Sequence, residues 1–322
     1  MRSPAAPTVP SRAGTAPSSR SVTPVTRDAI TRPNHLRHLW PQLQSAASHA
    51  AEAIRNVYAT RFDIDYKADE SPITAADRAA HDILGAHLSA LPEPWCHLPV
   101  LSEEGHQPGF NSRKNWAAYW LLDPLDGTRE FIARSDEFTV NIALIVGAEP
   151  VLGLVHLPIG DMGWRGGPDG AFRYRVLAPD ATSQRTEKSA DARRFDEVAI
   201  HVDSHQPPIV CVSRRHGLAT TDALLASLGT YTRIRAGSSL KFCRVAEGAA
   251  DLYLRTSSTS EWDTAAGQAV VEAAGGSVTD LAGRRLQYNQ RETLRNPHFI
   301  ASNGPPGAWT RRLRPHPDDD HH

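Results

Sequence analysis

Apolar residues recur at helical spacing from Leu36 through Leu39, Leu43, Ala47, Ala50 and Ile54 to Val57, which predicts a long amphipathic helix. Pro41 fits such a helix only near its start or at a kink. Residues 67–74 read as extended, and Thr74-Ala75-Ala76-Asp77 opens a second helix whose buried stripe is Ala80, Ile83, Leu84, Leu88 and Leu91. Two continuous apolar runs follow, and both stop in carboxylates. Pro99-Val100-Leu101 leads into Ser102-Glu103-Glu104-Gly105, and Trp120-Leu121-Leu122 leads into Asp123-Pro124-Leu125-Asp126-Gly127-Thr128. Runs at 138–146 and 151–157 around Gly147-Ala148-Glu149-Pro150 predict a β-hairpin. Residues 160–208 are polar and rich in Gly, Arg and Asp; they are expected to hold strands of a second lobe, with an insertion around 180–194. From Ile209 the pattern alternates again: strand at 209–213, helix at 218–228, strand at 231–234, helix at 240–247, strand at 252–254 and a small-residue helix at 263–274. There is no internal repeat. Helices interleaved with mixed strands argue for an α/β protein of layered α and β elements rather than a barrel.

Composition sharpens this at the ends and narrows the function classes. The first 34 residues are rich in Pro, Ser, Thr, Ala and Arg, and no acidic residue precedes Asp28, so they are expected to be disordered. A chain of 322 residues is long enough for one large domain or two lobes with sizeable cores. Its formal net charge of −1 gives no general affinity for nucleic-acid polymers and no electrostatic docking to membranes. No apolar run reaches the roughly 18 residues of a membrane span. Cys96, Cys211 and Cys243 are odd in number and lack metal-like spacing, which reads as reduced thiols in a cytoplasmic protein.

The candidate chemistry lies in the two carboxylate-ended runs and in Glu261-Trp262-Asp263-Thr264-Ala265-Ala266-Gly267, where another aspartate precedes a helix. A buried strand that stops in Asp123 and Asp126 offers hard oxygen ligands of the kind Mg²⁺ prefers, with Pro124 restraining the backbone between them. Taken alone, D-x-x-D at a strand end is as readily a solvated turn. Three acidic sites, each at the mouth of an element, fit a two-metal phosphoryl-transfer centre. Gly127 lets the main chain approach an anion, and the backbone N–H groups of Gly127 and Thr128 open a helical turn facing it. Arg235-Ala236-Gly237-Ser238-Ser239-Leu240-Lys241-Phe242 places two hydroxyls and an ammonium near a glycine before a helix, which suits a second phosphate. Arg255, close to the Asp263 loop, is a further phosphate-binding candidate. On residue type alone Asp77 is a helix N-terminal charge, worth about 0.3–1 kcal/mol.

The segments S-E-E at 102–104, D-P-L-D-G-T at 123–128 and W-D-T-A-A-G at 262–267 together resemble the signature of the lithium-sensitive, magnesium-dependent phosphatases of the inositol monophosphatase superfamily. The resemblance runs from about 36 to 303. It extends to the bisphosphate-nucleotidase branch through the G-S-S-x-K segment at 237–241 and the S-R-x-H segment at 213–216. It implies an α-β-α-β-α sandwich, two or three bound Mg²⁺ ions, inhibition by Li⁺ and a homodimer. Residue by residue it implies Glu103, Asp123, the Leu125 carbonyl, Asp126 and Asp263 as metal ligands. Asp77 and Thr128, with Glu103, become the catalytic set that handles water, and Asp263 joins Gly127, Thr128, Ser238, Ser239, Lys241 and Arg255 around the substrate. The implied reaction is hydrolysis of adenosine 3′,5′-bisphosphate to AMP and phosphate, a by-product-clearing step of sulfur metabolism. An inositol monophosphate or a sugar bisphosphate is the alternative substrate, and a non-catalytic metal- or phosphate-binding sensor is the alternative of a different class. The expected organisation is an extension at 1–34, a metal-binding lobe at 35–160, a second lobe at 161–305 that completes the site, and a polar tail at 306–322.

Overall fold

The computed structural model describes residues 30–67, 72–177, 193–214 and 218–313. The chain enters through a short helix α1 (Pro33–Arg37) and the long α2 (Trp40–Tyr58), with Pro41 accommodated in the first turn. Residues 30–34 are therefore part of the fold, not of the extension expected there: Ile30 is fully buried beside Leu36 and Leu39. A composition averaged over a window cannot register one isoleucine that finds a hydrophobic neighbour. A minimal hairpin, β1 (Asp65–Tyr66) with β2 (Pro72–Ile73), precedes α3 (Ala75–Ser89). Thr74 and Asp77 form a reciprocal capping box at the start of α3.

Next come β3 (Val100–Ser102), β4 (Ala118–Asp126), α4 (Thr128–Ile132), β5 (Thr139–Val146), β6 (Glu149–Leu157), β7 (Met162–Gly167), β8 (Gly170–Leu177) and β9 (Arg194–Ala199). The strands form one seven-stranded sheet in chain order, β3 and β4 parallel and every later pair antiparallel. The strands between 160 and 208 thus extend the first sheet and do not belong to a second lobe, and the division expected at 160 falls in a turn between two hydrogen-bonded strands. Gly and Arg on these strands hid them: Gly166 sits where a helix crosses, and Arg165 runs its guanidinium over Trp40 and Phe172. The insertion expected around 180–194 lies almost wholly outside the described residues.

The remainder contributes β10 (Ile209–Val212), α5 (Leu218–Leu225), β11 (Thr232–Arg235), α6 (Leu240–Ala246), β12 (Leu252–Arg255), α7 (Ala265–Ala273), β13 (Ser277–Asp280), β14 (Phe299–Ser302) and α8 (Ala308–Arg312). Its five strands order as β11-β10-β12-β14-β13. Three cores set the layers. Helices α2 and α3 cover one face of the large sheet, where Trp120, Leu122, Ile142 and Leu144 point. The other face, carrying Tyr119, Leu121, Ala143 and Ile145, packs with α6, α7 and the second sheet. The outer face of the second sheet is closed by Leu225, Trp309 and Leu313. This is the expected layered α-β-α-β-α sandwich. It also explains why β4 reads as an unbroken apolar run, since both of its faces are buried. Residues 308–312, expected in the polar tail from 306, form α8, with Trp309 and Leu313 buried, and residues 314–322 lie outside the described residues.

Candidate active site

Parallel pairing brings the C-terminal ends of β3 and β4 to the same edge. Ser102 stands opposite Leu122, and the Glu103 N–H donates to the Leu122 carbonyl at 3.1 Å, so Glu103 and Asp123 emerge side by side. At this point β4 bulges against β5: the register slips between Asp123 and Asp126, taking Pro124 and Leu125 out of the ladder. The Leu125 N–H turns back to Asp123 Oδ1 at 3.1 Å. Asp263 arrives from across the molecule on a single 3₁₀ turn (Glu261–Asp263), where the Ser260 N–H donates to its Oδ2 at 2.8 Å. Carboxylate oxygens of Glu103, Asp123 and Asp263 lie within 4.8 Å of one another. Two full charges at that separation repel by roughly 3 kcal/mol in a partly screened interior. Burial, and then the neighbouring carboxylates, push the Asp123 and Asp263 carboxyls well above the usual range.

Asp126 stands outside this trio. Its Oδ2 accepts from Ser238 Oγ at 2.6 Å and from Ser239 Oγ at 2.7 Å. Those two hydroxyls, expected to contact a phosphate, are thus committed to a carboxylate, the strongest acceptor within reach. Behind them Thr139 Oγ1 lies 2.6 Å from Ser238 Oγ, and Asn141 Nδ2 donates to Ser239 Oγ at 2.8 Å. Thr139 and Asn141 escaped the sequence reading. Their signal is two polar residues at alternate positions of an otherwise apolar strand, both fully buried. Ser238 holds φ at 49°, a left-handed conformation sustained by this network.

The two carboxylate oxygens of Asp77 have separate partners. Oδ2 caps α3 through the Thr74 N–H (2.8 Å) and Oγ1 (2.6 Å), while Oδ1 accepts from Thr128 Oγ1 at 3.3 Å. Burial raises its pKa. Glu104 is largely buried and pairs with Lys67 at 2.6 Å; the same ammonium meets Glu103 at 2.8 Å. Lys67 carried no sequence signal, since it follows the first strand of the short hairpin and matches none of the motifs.

These groups border a cavity of about 300 Å³ lined by Glu103, Asp126, Gly127, Thr128, Lys241 and Arg255, among others. Gly127, at φ 93°, turns the chain from β4 into α4. Lys241 is buried, its ammonium donating to the Ser238 carbonyl at 2.5 Å and lying 5.2 Å from the Tyr253 ring centre. Burial lowers its pKa. Arg255 reaches the same cavity from the end of β12, with its Nε buried and without a hydrogen-bond partner. Ser213 also lines the cavity, whereas Arg214 points to Glu137 at 2.6 Å and His216 lies outside the described residues. A second cleft of about 530 Å³ adjoins Glu103 on the Lys67 side, and Trp262 lines it.

The fold and the sequence find their counterpart among known proteins. The chain belongs to the inositol monophosphatase family, whose sequence model matches residues 35–316. Within it, the chain is 43% identical over 263 residues to the 3′(2′),5′-bisphosphate nucleotidase CysQ of Escherichia coli (strain K12), a match covering 81% of this chain and 98% of that protein. The protein of the same name from Haemophilus influenzae is 34% identical over 264 residues, 82% of this chain and 92% of its own. Among solved structures, CysQ from Bacteroides thetaiotaomicron, a bacterial member of the family, superposes with a TM-score of 0.68 at 36% identity, covering 84% of this chain and 99% of that one. No helix among the described residues is long and apolar enough to cross a membrane.

Proposed function

We propose that the protein is a Mg²⁺-dependent 3′(2′),5′-bisphosphate nucleotidase that hydrolyses adenosine 3′,5′-bisphosphate to AMP and phosphate. The observation that carries this reading is the gathering of Glu103, Asp123 and Asp263 carboxylate oxygens within 4.8 Å at a cavity whose other wall holds Lys241 and Arg255. The family is metal-dependent, and an all-oxygen, mutually repelling donor set suits hard divalent cations. Glu103, Asp123, Asp263, Asp126 and the bulged Leu125 carbonyl are the residues that hold them. The cations supply charge neutralisation at the scissile phosphate and a lowered pKa for the attacking water.

The chain's own groups do the rest. Thr128 Oγ1, hydrogen-bonded to Asp77 Oδ1, accepts the proton of the attacking water and relays its own to the carboxylate. Ser238 and Ser239 hold Asp126 at a fixed angle. Gly127 and Thr128 receive the scissile phosphate, and the cationic wall of Lys241 and Arg255 favours a substrate with a second phosphate over inositol 1-phosphate. Li⁺ inhibition belongs to the same proposal. The test is phosphate release from adenosine 3′,5′-bisphosphate, inositol 1-phosphate and fructose 1,6-bisphosphate with Mg²⁺, with and without Li⁺. A nucleotide kcat/KM at least about a hundredfold higher, equivalent to about 2.7 kcal/mol, is expected. Preference for inositol 1-phosphate overturns the assignment of the Lys241–Arg255 wall, and preference for fructose 1,6-bisphosphate overturns the nucleotide as substrate.

A further inference from the structure

We infer that Lys67 is a built-in counter-cation of the acidic cluster: it holds Glu103 and Glu104 until a divalent cation takes Glu103, and it then withdraws into the adjoining cleft. This rests on the reading of Glu103, Asp123 and Asp263 as a cation site. Lys67 Nζ lies 2.8 Å from Glu103 Oε1 and 2.6 Å from Glu104 Oε1, so one ammonium bridges two adjacent carboxylates. Glu103 is the residue these two arrangements share, since its carboxylate is also within 4.8 Å of Asp123 and Asp263. An ammonium contributes one charge and three donors but no coordination geometry, so it neutralises such a cluster without organising it. A divalent cation that binds Glu103 places like charge against Lys67 at short range, which favours the lysine leaving. Room for that movement exists, because Lys67 lines the second cleft, about 530 Å³ in volume, together with Gln107, Ser260 and Trp262. Lys67 directly follows β1, a strand of only two residues. Occupancy by cation and by Lys67 are therefore in competition, and the lysine sets a threshold cation concentration for the site.

The experiment measures Mn²⁺ binding to the full-length protein by electron paramagnetic resonance of the free ion, in wild type, Lys67→Met and Lys67→Gln, with thermal melts in chelator. Removing the ammonium is expected to tighten Mn²⁺ binding by about tenfold, or about 1.4 kcal/mol, and to lower the melting temperature of the metal-free protein only. Lys67→Gln, which keeps a donor for Glu104, gives the same tightening with less loss of metal-free stability. An unchanged or weaker Mn²⁺ affinity in either variant overturns the inference while leaving the cation site standing. Failure of the wild type to bind Mn²⁺ overturns both.

Discussion

Ser239→Ala separates a residue that holds a metal-side carboxylate from one that touches substrate. Ser239 Oγ has a single proton and two acceptors in range, Asp126 Oδ2 at 2.7 Å and the Asp263 carbonyl at 3.1 Å. The shorter, charge-assisted contact takes the proton, and Asn141 Nδ2 fills the oxygen from behind at 2.8 Å. Alanine removes a hydrogen bond to an ionised group, worth about 1.5–3 kcal/mol. It also strands the buried Asn141 amide, which costs about 1–3 kcal/mol of stability. The first loss falls on Asp126, whose Oδ2 then keeps only Ser238. Mn²⁺ affinity and kcat should therefore drop by about 10- to 100-fold, following about 1.4 kcal/mol per decade, while KM for adenosine 3′,5′-bisphosphate stays near wild type. Urea unfolding of the metal-free protein records the stability loss, and steady-state kinetics at saturating Mg²⁺ with a parallel Mn²⁺ titration record the rest. If KM rises tenfold with kcat and cation affinity unchanged, Ser239 contacts the substrate and the argument through Asp126 is refuted.

Lys241→Ala should raise KM for adenosine 3′,5′-bisphosphate by about tenfold or more and for a monophosphate much less, in keeping with about 1.4 kcal/mol for one lost charge at a phosphate; equal effects on both substrates remove Lys241 from the second-phosphate wall. Burial pushes the Glu261 carboxyl up to about 7, so its stabilising protonated form is complete below about 4.5 and is lost as pH rises through about 7. Glu261→Gln is accordingly expected to raise the melting temperature at pH 8 and to leave it unchanged at pH 4; a difference independent of pH refutes the titration. On β6, Gly153 lets α7 approach so closely that a Cβ there would lie 2.2 Å from the Ala266 carbonyl oxygen. Gly153→Ala should cost about 2–3 kcal/mol in urea unfolding, and a loss under about 0.5 kcal/mol, typical of a surface site, would show that the helix yields.

How far the site was legible depended on the range of the interaction. Glu103, Asp123 and Asp126 stand where apolar runs end, and a strand buried on both faces announces itself as an unbroken hydrophobic stretch. Asp77 and Thr74 were legible because a capping box spans three residues. Lys67 was not, because it matches no motif; Thr139 and Asn141 left only two polar positions on one face of an apolar strand, which shows burial but not which acceptor they serve. Strands β7 to β9 were similarly obscured: glycines and arginines lower their hydropathy for reasons that exist only where α7 crosses the sheet and Arg165 lies against Trp40.

The sequence by itself determined the helices of regular period, the two-sided burial of β4 and the identity of the acidic residues at the element ends, because periodicity and capping act within one or two turns of chain. Tertiary structure decided which of those acids meet. Asp263 reaches Asp123 only by closing the sandwich, and Ser238 and Ser239 reach Asp126 across separations of 112 and 113 residues. Contacts of that span depend on how two sheets stack and where a bulge redirects the chain, and no local pattern encodes the direction in which a serine hydroxyl finds its acceptor.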